Sequence, residues 1–206
     1  GPRLDASSPS LGAVVRRNPA FASRAIGVWQ RPVDGPCRVF WRPNTGRDLT
    51  DTHVCTVLGR TDPGGAVDPA SLRLVEPRAH DVFELDVPAG RWAAMSVWCT
   101  HSGGQIRGAY PEEDSGHATA PAAGDILSPE AVACFLELTH DVLYRALREH
   151  FGRTVIGMFT DEPGVFGKGA QRPRQAQPFT PDLVPWLEQL WGEDPRPWLP
   201  ALWVDY

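Results

Sequence analysis

With 206 residues, 42% of them hydrophobic and eight of them Trp, the chain is long enough to bury a core, so its 21 Pro and 20 Gly signal long loops and not disorder. A formal net charge of −5 with only 20 Lys and Arg excludes the clustered basic surface that nucleic acid requires. No apolar run reaches the roughly 20 residues of a membrane span, which predicts a soluble protein with no membrane partner.

Residues 1–23 combine Ser7-Ser8-Pro9-Ser10 with Arg16-Arg17-Asn18-Pro19 and show little periodicity beyond Leu11 to Val15. They read as a poorly ordered lead-in or the remnant of an element. From residue 24 the pattern changes to short apolar or alternating runs: Ala25–Trp29, Cys37–Trp41, His53–Leu58, Leu72–Val75, Val82–Val87 and Trp92–Cys99. Spaced by Pro, Gly, Asp and Asn, these predict a small antiparallel β module over 24–90, with Val33-Asp34-Gly35-Pro36 as a hairpin turn. Val82 to Val87 alternates, which sets Glu84 and Asp86 on a wet face and Phe83, Leu85 and Val87 on a dry one. Pro88-Ala89-Gly90 reads as a turn into Ala93–Cys99, a run apolar enough to be buried on both sides. There the α/β part, 91–206, is expected to begin.

The four cysteines form no C-x-x-C pair, which removes zinc-ribbon and redox-motif readings and suits a secreted or a cytoplasmic setting equally. Cys134 falls in a helical pattern as a small buried hydrophobe, and a Cys37–Cys55 bridge is open on spacing. Residues 101–124 are rich in Gly, Ser, Pro and acids and carry His101 and His117. A loop of that length is usually functional, and it is a candidate to face substrate.

Ser128-Pro129-Glu130 is a sharp helix start: a hydroxyl cap, a proline at the first helical position and an acid at the positive end of the dipole. Val132, Phe135, Leu136, Thr139, Val142, Leu143 and Leu147 then predict one helix ending at Gly152, with an apolar stripe that packs on a sheet. The run Val155 to Phe159 is expected to be a buried strand of that sheet, and Asp161, Glu162 and Pro163 stand at its carboxyl end, where α/β folds place their sites. Adjacent strand residues point to opposite faces, so Pro163 must end the strand if both acids are to serve one site. Glu162, with the longer reach, is the candidate proton donor and Asp161 its support; Asp125, Trp98 and His101 are candidate substrate-binding residues. Thr180-Pro181-Asp182 opens a last helix that Gly192 closes.

Gly124 to Val132, Phe135 to His140 and Phe151 to Pro163 together resemble the catalytic region of the α-L-rhamnosidase-like glycoside hydrolases. Val87-Pro88-Ala89-Gly90-Arg91-Trp92 and Phe179-Thr180-Pro181-Asp182-Leu183 resemble the same family, so the similarity spans roughly residues 80–206. The resemblance implies a partial (β/α)8 barrel of TIM type with an inserted small antiparallel β module, and a carbohydrate substrate whose glycosidic bond is cleaved. The family's strand-end acid falls on Glu162, with Asp161 and Asp125 as neighbours. Such barrels take about 250 residues, and hydrolysis needs a second carboxylate about 5 Å or about 6.5 to 9.5 Å away. That second carboxylate is expected on the rest of a larger chain. No cofactor is required, although Ca2+ suits an all-carboxylate cluster. Two further readings are a non-catalytic carbohydrate-binding fragment and a metal-dependent hydrolase using Asp125, Asp161 and a loop histidine.

Overall fold

The computed structural model describes residues 11–43, 51–79, 81–106, 120–157, 164–170 and 175–206. The chain divides into two compact units, one made of 1–24 with 101–172 and the other of 25–100 with 173–206.

The second unit is built on a six-stranded sheet whose strands all run antiparallel. They are β1 (Arg24–Trp41), β2 (Thr52–Arg60), β3 (Arg73–Leu74), β4 (Pro77–Ala79), β5 (Val82–His101) and β6 (Gln177–Phe179). The order is β3-β2-β5-β1-β6, with β4 paired to β5. This overturns the expected partial (β/α)8 barrel, in which the strands after residue 91 would lie parallel with helices between them. The end of β5 and all of β6 belong instead to the antiparallel sheet that begins at β1.

Strand length is the physical reason for the misreading. The Pro88-Ala89-Gly90 and Asp34-Gly35-Pro36 signals are not hairpin turns, because they lie inside β5 of 20 residues and β1 of 18. Gly90, at φ +114, bends β5, and the Gly35–Pro36 peptide is cis. The sheet curls as a half-barrel. Val33 and Trp41 from the far part of β1, and Phe83, Leu85 and Val87 from the early part of β5, close on Leu58, Ala94 and Trp98 to form one core. On the other face Ile26, Cys55, Val57, Met95, Val97 and Cys99 form a second core. Phe179, Leu199, and Leu183 and Val184 of α4 (Leu183–Trp191) pack against it. Ala94 to Cys99 are therefore buried on both sides, as the apolar run predicts, and the Val82–Val87 alternation holds, with Phe83, Leu85 and Val87 buried. The wet face carries ion pairs instead: Arg38 reaches Glu84 at 3.3 Å and Asp86 at 2.8 Å, and Arg78 also pairs with Glu84.

All four cysteines are free. Cys37 lies on β1 and Cys55 on β2, and β5 runs between those strands, so the open Cys37–Cys55 bridge does not form. Burial pushes the Cys55 thiol up to about 12.

The first unit is helical. The Leu11 to Val15 run belongs to α1 (Leu11–Arg17), so part of the expected lead-in is an element in its own right. The Ser128 start is observed as read: Pro129 opens α2 (Pro129–Leu138) and Ser128 Oγ accepts from the Ala131 N–H at 3.4 Å. The single helix expected to Gly152 is broken at Thr139. Thr139 bonds the Phe135 carbonyl through both its N–H (3.0 Å) and its hydroxyl (2.7 Å), and α3 (His140–Leu147) restarts beyond it. Among the described residues the packing of the stripe is helix on helix. Val14 of α1 packs on Ala131 and Cys134 of α2, while Val142, Leu143 and Leu147 of α3 stay exposed.

The expected Val155 strand is also overturned among the described residues: Val155 makes a single bridge to Phe151, and Ile156 is 90% exposed. A β-branched run becomes a buried strand only where a sheet stands beside it to pair with. At the other end, Gly192 closes α4 in the left-handed region (φ 76), as expected, but the cap position is Asp182 and not Thr180.

Candidate functional site

In the first unit a cavity of about 240 Å³ is lined by Ser23, His101, Ser102, Gly104 and Gln105 among others. Its walls are set by hydrogen bonds from a serine and glycine stretch. Ser102 N–H donates to the Ser23 carbonyl at 2.9 Å, and Gly104 N–H donates to Ser102 Oγ at 3.1 Å. The chain from Val165 onward is pinned to the same stretch. Ser23 Oγ donates to the Val165 carbonyl (2.7 Å), Ser102 Oγ to the Phe166 carbonyl (2.8 Å), and Gln105 and Lys168 exchange backbone bonds of 2.9 and 2.8 Å. A Cβ on Gly104 would lie 1.8 Å from the Phe166 carbonyl oxygen, so only glycine lets these segments meet this closely.

The bonding decides what the cleft can do. Both serine hydroxyl protons are already given to carbonyls, so Ser23 and Ser102 are braces and not activated nucleophiles. His101, half-buried at the end of β5, and the Gln105 side chain, whose Nε2 donates to the Ala120 carbonyl at 3.3 Å, supply the polar groups of the wall. The volume lies below the roughly 300 to 1,000 Å³ typical of drug-sized ligands, which suits one small polar group.

The residues singled out in the sequence are dispersed. Asp161 and Glu162 lie outside the described residues. His101 lines the cleft. Asp125 is buried in the first unit and serves the turn before α2: its Oδ1 accepts from Leu127 N–H at 2.9 Å and its N–H donates to the Phe21 carbonyl at 2.7 Å. Its carboxylate is thus at least partly occupied with backbone geometry. Among the described residues no group of three or more His, Cys, Asp or Glu is placed to hold a metal ion. Ser23, Ser102 and Gln105 were missed by sequence reasoning. The one available signal was Ser102-Gly103-Gly104 directly after a long apolar strand, where close backbone approach is the usual reason for glycine.

Trp98 belongs to the second unit, 1% exposed, and is a core residue and not a sugar platform. Its Nε1–H donates to Ser96 Oγ at 2.8 Å, Ser96 Oγ lies 2.8 Å from Thr56 Oγ1, and Thr56 Oγ1 lies 2.9 Å from His53 Nε2. The His53 ring packs tilted on Phe83 and edge-on to Trp98. Burial lowers its pKa below the ordinary histidine value, and Arg196 adds to this, while a hydrogen bond that the ring donates to the Cys55 backbone and the charges of Glu76 and Asp81 oppose it.

Between that lowered value and the roughly 6.5 of an unfolded histidine, the unfolded chain binds more protons than the folded one. Stability is therefore full above about pH 6.5 and falls as pH drops through the window down to the folded value. Urea unfolding at pH 7 and pH 5 should show this loss in the unaltered protein and a smaller one in His53→Phe. Equal losses in the two proteins would exclude His53 as the source.

No protein-family model matches the chain, and no curated protein sequence matches it.

Proposed function

We propose that the chain is a glycoside-hydrolase segment in which Glu162 is the general acid and Asp161 its supporting carboxylate. The reading is carried by the sequence Phe159-Thr160-Asp161-Glu162-Pro163. It is supported by the pinning of the chain just after it, at Val165, Phe166 and Lys168, to the wall of the His101 cleft. A proton donor has to be delivered to one place, and a segment fixed two residues beyond Pro163 meets that need. In the proposed step the protonated Glu162 carboxyl gives its proton to the glycosidic oxygen as the C1–O bond breaks. Water then adds to C1 with help from a second carboxylate.

The test compares Glu162→Gln with the unaltered protein on rhamnosides of different leaving groups. Loss of a general acid should lower kcat/KM on alkyl rhamnosides by about 10²- to 10⁴-fold and spare dinitrophenyl rhamnoside, whose leaving group needs no proton. Unchanged turnover of the alkyl substrates would overturn the role.

A second reading, a non-catalytic carbohydrate-binding protein, is favoured by the antiparallel sheet in place of a (β/α)8 barrel. It predicts sugar binding without turnover of any rhamnoside, indifferent to Glu162→Gln.

A further inference from the structure

The second unit has a cavity of its own, of about 330 Å³, lined by Gln175, Gln177, Leu202, Trp203, Val204 and Asp205 together with Ala201. Its lining chemistry is specific. Gln175 and Gln177 each bring a carbonyl acceptor and an amide with two donor hydrogens, and Asp205 brings a carboxylate acceptor. None of these described lining residues is Lys or Arg, so an anion finds no counter-charge here. No described side chain takes up the Gln177 amide or the Asp205 carboxylate.

The walls are held in place from outside the cavity. Trp203 Nε1–H donates to the Gln175 carbonyl at 2.7 Å, which fixes the indole as an apolar side wall. Gln175 sits at φ 62, in the left-handed region that non-glycine residues seldom occupy. Gln177 is on β6, and Asp205 is pinned through its carbonyl, which accepts from Val67 N–H at 2.8 Å.

We propose that this cavity binds a single neutral sugar ring, at a site separate from the Glu162 chemistry. Each hydroxyl of a sugar both donates and accepts. Paired amides with one carboxylate satisfy both roles, and the indole covers the less polar face of the ring. The volume is at the lower edge of the range for ligand sites, enough for one ring and too small for an oligosaccharide. The assignment stands on this lining and does not require hydrolysis elsewhere in the chain.

The test is a titration of the full chain with L-rhamnose, D-glucose and D-galactose, following the indole N–H resonance of Trp203. At least one sugar is expected to give a saturable shift. Gln177→Ala and Asp205→Asn should each weaken that binding about tenfold, the worth of roughly one hydrogen bond. Asp205→Asn keeps the shape of an exposed side chain, so it carries the comparison should Gln177→Ala disturb β6. Glu162→Gln should leave the titration unchanged. No saturable shift with any of the three sugars, or full-strength binding by Asp205→Asn, would overturn the site. Binding lost in Glu162→Gln would overturn it too, because the sugar would then sit at the Glu162 chemistry.

Discussion

Gly35→Ala is expected to destabilise the second unit by about 3 kcal/mol, at the upper end of what overpacking a close-packed interior costs. The methyl group would lie 1.9 Å from the Pro88 carbonyl oxygen and 2.8 Å from the Val87 carbonyl oxygen. Both neighbours are backbone, so no rotamer change can relieve the clash. The two long strands would have to part at this contact, and they carry the Val33, Phe83 and Val87 side chains of one core. Urea unfolding followed by Trp fluorescence measures the loss. Gly157→Ala is the control, since no atom of the described residues lies within 4 Å of its added methyl, and it should stay within about 0.5 kcal/mol of the parent. A loss below about 1 kcal/mol for Gly35→Ala would mean that the strands are not in contact at this point.

The same pair of residues shows why the sheet was only partly legible. The alternation of Val82 to Val87 and the two-sided burial of Ala94 to Cys99 are properties of single strands, and both are visible in the sequence. Asp34-Gly35-Pro36 and Pro88-Ala89-Gly90 carry turn chemistry, and a local reading makes each a hairpin. What makes them bends is that Gly35 faces Pro88 from a strand more than 50 residues away, about which neither stretch carries information. The barrel expectation failed in a similar way. Val155-Ile156 has the composition of a buried strand, but Ile156 is 90% exposed and, among the described residues, Val155 pairs only with Phe151. The signals of helix ends were better read, since Ser128, Pro129 and Gly192 act on their own neighbours within one turn.

The site was legible in a different proportion. Asp125 illustrates the difficulty: an acid before a helix start can point to a ligand or bond its own backbone, and Asp125 Oδ1 bonds Leu127 N–H. His101 was singled out from a loop of suitable composition and does line a cleft. The braces Ser23 and Ser102 owe their position to carbonyls of Val165 and Phe166, more than 60 residues on, and no spacing rule reaches that far.

Trp98→Ala should cost about 3 to 5 kcal/mol, the usual range for removing a fully buried aromatic side chain. Trp98 is 1% exposed and packs in the core with Leu58, Phe83, Leu85 and Ala94. Its removal leaves a cavity that β2 and β5 cannot collapse into, because their register is fixed by Thr56 opposite Ser96 and Leu58 opposite Ala94. It also strips the His53 ring of its edge-on neighbour. Trp98→Phe separates the two contributions: most of the volume stays, and the 2.8 Å bond from Nε1 to Ser96 Oγ goes, at a cost of about 1 kcal/mol. Ser96 still has Thr56, so its hydroxyl is not left without a partner. Were Trp98 a substrate platform, both variants would unfold at parental urea concentrations and lose only sugar binding. Its burial requires the reverse, a Trp98→Ala protein with a sharply lowered midpoint and a Trp98→Phe protein whose affinity for sugar is unchanged.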